Sequence, residues 1–298
     1  MKKGVWILAC IMMICILGGV LFAACNDNSE SDIFLKQDKN SVIIGVNGVQ
    51  EWKFVKDGEN WKFDGVYVKG VRAFEVPDGD IFRFSRLAYN TEHPETVIDS
   101  SVKEVTVNAD TDENKSIKIT NGQATMFLSV EKGSKFVKRD IVIDLNCDNV
   151  IAEYQIGFTL RTVEDVFTRK DGAIATKNNS VASAEIPYAN PAIYAQFYGD
   201  NFTVDAVNIV DYNSTDFAVN YFRLRQVSDV FELGACSGSK TFSSGETVQL
   251  HDYWYFEGQT NNDIYDVIGI MSKQTSLVTP MSFENLAHQG NLNAETFE

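Results

Sequence analysis

The residues whose type and spacing could do chemistry lie near the carboxyl end, in the stretch Leu250-His-Asp-Tyr-Trp-Tyr-Phe-Glu257. Read with the period of 2 of a β-strand, it separates into two sets of side chains. The even set is Leu250, Trp254 and Phe256, interrupted by Asp252, and reads as core. The odd set is His251, Tyr253, Tyr255 and Glu257: flat rings with polar tips, flanked by an imidazole and a carboxylate. Aromatic rings beside hydrogen-bonding groups suit a surface that stacks on sugars or docks a protein. A half-wet sheet face also tolerates tyrosines with no ligand at all. These four residues are the ligand-binding candidates, and their expected place is on solvent or beneath a second layer.

Signatures of catalysis are sparse. Gly234-Ala-Cys236-Ser-Gly238 fits the spacing of a cysteine nucleophile elbow, but the residues after it read as turn and strand instead of the helix that motif needs, so it reads as a glycine turn. His93, His251 and His288 are scattered without paired ligand spacing, which argues against zinc. Asp110-Thr-Asp112-Glu-Asn114 opens like a calcium loop. Lys115 then stands where the loop needs Gly, and Asn121 where it needs a bidentate Glu, which leaves a polar hairpin turn or an irregular calcium turn. Glycosidase carboxylates are defined by separation in space and cannot be picked from 41 acids in sequence. The expectation is a non-catalytic protein with no cofactor and no catalytic residue. Among 298 residues, 26 Lys+Arg against 41 Asp+Glu give a net charge of −15, and such a surface repels nucleic acid.

The amino terminus carries an address. Lys2 and Lys3 precede an apolar run from Val5 to Phe22, then Ala23-Ala24-Cys25, then the polar stretch Asn26-Asp-Asn-Ser-Glu-Ser-Asp32. A charged start, a short apolar core and small residues before a cut describe a secretory signal peptide. Ala23-Ala24-Cys25 resembles the bacterial lipobox, with Phe22 in place of the usual Leu. The resemblance implies cleavage after residue 24, lipidation of Cys25 and a membrane partner through that lipid; the rival reading is an uncleaved signal anchor. The acidic run that follows resembles the export tag of surface lipoproteins in Bacteroidota. It implies an outer-membrane location facing the cell surface, with the periplasmic face as the alternative.

Beta patterning fills the rest of the chain. Candidate strands are 41–46, 50–56, 60–68, 80–87, 102–109, 115–120, 123–131, 139–146 and 150–161, then 181–186, 193–199, 202–211, 217–226, 228–233, 246–257 and 263–271. Asp57-Gly58, Asn121-Gly122, Asp148-Asn149 and Gly199-Asp-Asn201 separate them as turns. If Asp57-Gly58 is a two-residue turn, Phe54 faces Trp61 and Trp52 faces Phe63, with all four rings on one face. Segment 41–65, from Ser41-Val-Ile-Ile-Gly45 to Asp57-Gly58-Glu-Asn60-Trp61, resembles the opening of Ig-like modules in Bacteroidota lipoproteins. The expected fold is all-β, two antiparallel β-sandwich (Ig-like) domains after a lipoprotein signal peptide: 1–24 signal peptide, 25–40 lipidated Cys and flexible tether, 41–161 first sandwich, 162–298 second sandwich. Short helices are expected to open near Thr162 and to span 282–289. Cys147 on an apolar strand face and Cys236 in a turn read as two free thiols.

The functional expectation is a glycan- or protein-binding module at the cell surface. The alternatives are a structural or anchor subunit of a surface assembly, and an extracytoplasmic glycoside hydrolase.

Overall fold

A computed structural model describes the backbone of residues 32–76, 81, 86–89, 102–144, 150–153, 155–160, 165–169, 172–176, 183–187, 192–199, 202–211, 219–227, 230–237 and 240–258. Side chains are described for 32–76, 81, 102–144, 203–211 and 243–258. The signal sequence, Cys25, Cys147 and the expected strand and helix at 263–271 and 282–289 lie outside these residues. The chain separates into Met1–Asp32 and Ile33–Glu298, and all described strands belong to the second unit.

The fold is all-β. In chain order the strands are β1 Ile33–Gln37, β2 Ser41–Val46, β3 Gln50–Asp57, β4 Asn60–Val68, β5 Val71–Phe74, β6 Arg86–Tyr89, β7 Glu104–Asp110, β8 Asn114–Thr120, β9 Ala124–Glu131, β10 Val137–Asp144, β11 Val150–Glu153, β12 Gln155–Leu160, β13 Asp165–Arg169, β14 Gly172–Thr176, β15 Ser183–Pro187, β16 Ala192–Gly199, β17 Phe202–Val210, β18 Val219–Val227, β19 Val230–Ser237, β20 Lys240–Phe242 and β21 Thr247–Gly258. A five-stranded meander runs β1-β2-β3-β4-β5, and a nine-stranded sheet runs β14-β13-β16-β17-β21-β10-β9-β8-β7. Smaller sheets are β20-β11-β6 and β12-β19-β18-β15. All strand neighbours are antiparallel.

The core lies between the meander and one face of the nine-stranded sheet. Val42, Ile44, Trp52 and Phe54 come from the meander, and Ile117, Met126, Leu128, Ile141 and Leu250 from the larger sheet; all are buried. The two layers meet where Phe256 lies 4.2 Å from Phe74 and 6.3 Å from Trp52, ring centre to ring centre. Buried Gln50 ties them with hydrogen bonds: its Nε2 donates to the carbonyls of Lys135 (2.7 Å) and Trp254 (3.1 Å), and its Oε1 accepts from the Trp52 indole (2.9 Å). Each polar atom of that amide therefore has a partner, the condition for burying it at low cost.

The structure corrects four expectations. β1 occupies residues that read as tether, because the apolar triplet Ile33-Phe34-Leu35 is too short to show a period. The helix expected to open near Thr162 and end by Gly172 is replaced by the β13–β14 hairpin, so the capping pattern there has no helix to cap. Cys236 is inside β19, opposite Gln155 and Tyr221, and not in a turn. In the β3–β4 hairpin the loop is Gly58-Glu59, one residue later than expected, so Phe54 faces Phe63 and Lys56 faces Trp61. Gly58 has φ +64, and a turn with glycine at its first central position is type II′. The register moves by two residues, which keeps all four rings on the same face.

The sheet also crosses the expected domain boundary at 161/162. β10 from one side and β21 from the other are direct neighbours, from Val137 opposite Trp254 to Asp144 opposite Thr247.

A candidate binding face on β9, β10 and β21

β21 is an inner strand of the large sheet, between β17 and β10. Its even side chains turn to the meander: Leu250, Asp252, Trp254 and Phe256 are all buried. Asp252, which breaks the apolar set in sequence, lies opposite Arg139, the charged residue on the apolar face of β10. Both side chains are 0% exposed. Arg139 Nε donates to Oδ1 at 2.8 Å and Nη2 to Oδ2 at 2.5 Å, and Oδ2 also accepts from the Trp254 indole at 2.9 Å and Asn208 Nδ2 at 3.3 Å. The guanidinium also lies 5.6 Å from the Trp254 ring centre. Bidentate geometry and added donors are what make a buried pair tolerable.

The four sequence candidates on the odd side divide into two groups. Tyr255 is 0% exposed and packs 5.6 Å from the Phe136 ring, and its hydroxyl donates to Glu257. Lys135 Nζ reaches both Glu257 oxygens at 3.1 Å. Burial and the Glu257 carboxylate push the Tyr255 phenol far above its ordinary value. This pair is an internal brace, not a stacking surface. The alternation fails here because this half of the sheet is covered on both sides: from Val204 to Val210 every residue of β17 is buried, and β17 also touches β19 of the four-stranded sheet.

His251 and Tyr253 remain half-buried on the outward side. Cross-strand register sets Asp140 opposite His251 and Lys138 opposite Tyr253. Asp140 holds His251 Nδ1 at 2.5 Å through Oδ1 and Lys138 Nζ at 3.0 Å through Oδ2. Burial alone would raise the Asp140 carboxyl, but the His251 and Lys138 contacts outweigh it and hold it below the usual value. One strand further, Phe127 lies opposite Asp140 and is likewise half-buried. Phe127 was overlooked in the sequence. Its signal is a lone aromatic in the polar set Thr125, Phe127, Ser129 of a strand whose even set, Ala124 to Val130, is core.

Among the described residues no group of three or more His, Cys, Asp and Glu is placed to hold a metal. In the Asp110–Asn114 turn, Asp110 pairs with Lys115 at 2.7 Å and Glu113 with Lys132 at 2.9 Å, so those two carboxylates face ammonium groups.

No family model matches the chain, and no curated protein matches it. Solved structures of similar shape include a candidate aldose 1-epimerase of Klebsiella pneumoniae, at 10% identity and TM-score 0.45, over 80% of this chain and 85% of that one. The GH36 alpha-galactosidase AgaB of Geobacillus stearothermophilus is similar at 8% identity and TM-score 0.45, over 76% and 41%. A TPR-domain containing protein of Parabacteroides distasonis is similar at 9% identity and TM-score 0.41, over 75% and 48%. The chain thus spans less than half of the last two. At such identities no activity passes from these proteins to this one.

Proposed function

We propose that the protein is a non-catalytic binding module, exported and lipid-anchored through Cys25 at the cell surface, with a glycan or protein as ligand. The outward strip of Phe127, Tyr253, His251, Asp140 and Lys138 carries this reading: two half-buried rings flank a hydrogen-bonded cluster of polar side chains. The lipobox-like Ala23-Ala24-Cys25 and the polar run behind it support the address.

Two measurements test it. Cys25→Ala should move the protein from the membrane pellet to the soluble fraction; variant protein that stays wholly in the pellet would favour an uncleaved anchor. Probing glycan arrays and purified surface proteins with the full chain should find a ligand whose binding falls in Tyr253→Ala, and an unchanged profile would remove this strip as the site.

A further inference from the structure

We infer that the ligand is an uncharged polysaccharide lying across the outward face of β9, β10 and β21, stacked on Phe127 and Tyr253; this rests on the binding-module reading. Strand register arranges the face in rows. Lys118, Phe127, Asp140 and His251 form one row across β8, β9, β10 and β21, and Ser129, Lys138 and Tyr253 form the next. Phe127 and Tyr253 are therefore two strands and one residue pair apart, about 12 Å at ordinary sheet spacing. One sugar ring cannot cover both, whereas an extended chain of sugars can.

Charge selects the chemistry. Both oxygens of Asp140 are engaged, one by His251 and one by Lys138, so its charge is compensated at the centre of the face, and exposed Lys118 ends the same row. A cationic ligand meets a carboxylate already held by two donors. An acidic ligand at Tyr253 meets the nearby carboxylates of Asp211, Asp140 and Glu131, opposed there by Lys138. A neutral hydroxylated ligand meets rings for its C–H faces, with Asp140 and His251 between them for its hydroxyls. A stable protein partner typically covers about 800 Å² on each side around a central cluster of anchor residues. This strip has two separated rings around a polar core instead.

The test uses the full chain in detergent against an array of neutral and uronic-acid polysaccharides. At least one neutral polysaccharide should bind, and Phe127→Ala and Tyr253→Ala should each weaken it about tenfold. Phe127→Tyr and Tyr253→Phe keep the rings and should stay within about twofold, as should Tyr255→Phe, whose ring is internal. These conservative variants separate lost stacking from lost folding. Binding to polyuronates alone, or neutral binding that survives both alanine changes, overturns the inference. Failure to bind any glycan also overturns it; the binding-module reading then stands if a purified surface protein binds and falls if none does.

Discussion

Arg139 and Asp252 each occupy a position where the strand period calls for an apolar side chain, and each alone looks like an error in reading the strand. The interruption at Asp252 is visible in sequence. Its partner is not, because the register joining them spans more than a hundred residues and no local pattern carries it. Removing one partner strands a buried charge, so Arg139→Leu and Asp252→Leu should each cost about 3–5 kcal/mol in denaturant melts. The double variant should be less destabilised than the two losses added, though the Trp254 indole then loses its Asp252 acceptor and Asn208 keeps only the Tyr253 carbonyl of its two. Gly45 is a second residue-scale constraint. A Cβ there would lie 2.2 Å from the Gln50 carbonyl and 3.0 Å from the Glu51 Cα, both backbone atoms that cannot turn aside. Gly45→Ala should lower stability by about 1–3 kcal/mol, and a neutral melt would show that β2 and β3 separate freely.

At the scale of elements, the strands were largely legible and their junctions were not. Ser41–Val46 and Asn60–Val68 run as the alternation and turn signals indicate. The β3–β4 hairpin shows why the detail was lost. Asp-Gly favours one turn, yet the chain uses glycine one place earlier within its loop, and the slip of two residues changes every cross-strand partner without changing a face. Asp64 then becomes the extra residue of a bulge, where it receives Lys53 at 3.0 Å and the Tyr67 hydroxyl at 2.8 Å. The four-ring face is core for three of its members: Trp52, Phe54 and Phe63 are buried and Trp61 is half-buried near the turn. Phe63→Ala should cost about 3–5 kcal/mol and Trp61→Ala clearly less, read in parallel melts. The candidate site was half legible for a related reason. Period 2 assigns Tyr253 and Tyr255 to one face, but only the layers on either side decide which part of that face is wet.

For the whole molecule, acid is the informative variable. Burial would raise the Asp64 carboxyl, but Tyr67 and Lys53 outweigh it and hold it below its usual 3.8, and Asp140 is lowered in the same sense. Groups lowered on folding stabilise the protein above their unfolded value, and that contribution disappears as pH falls through the folded values. Stability should therefore be flat in these two groups above about pH 5 and decline below 3.8. Asp64→Asn with Asp140→Asn should flatten the acid limb of a pH series. The placement of β21 bears on time as well as on energy. It is the last described strand and lies between β10 and β17, so residues 104–144 can form their hairpins early but meet their inner neighbour only when residue 247 arrives. Until then β10 is an open edge whose backbone groups lack their β21 partners, a state that favours wrong pairing. A chain stopped before Thr247 should be captured by holdase chaperones or aggregate, which makes the arrival of β21, and not emergence of the first half, the event that commits these strands to fold.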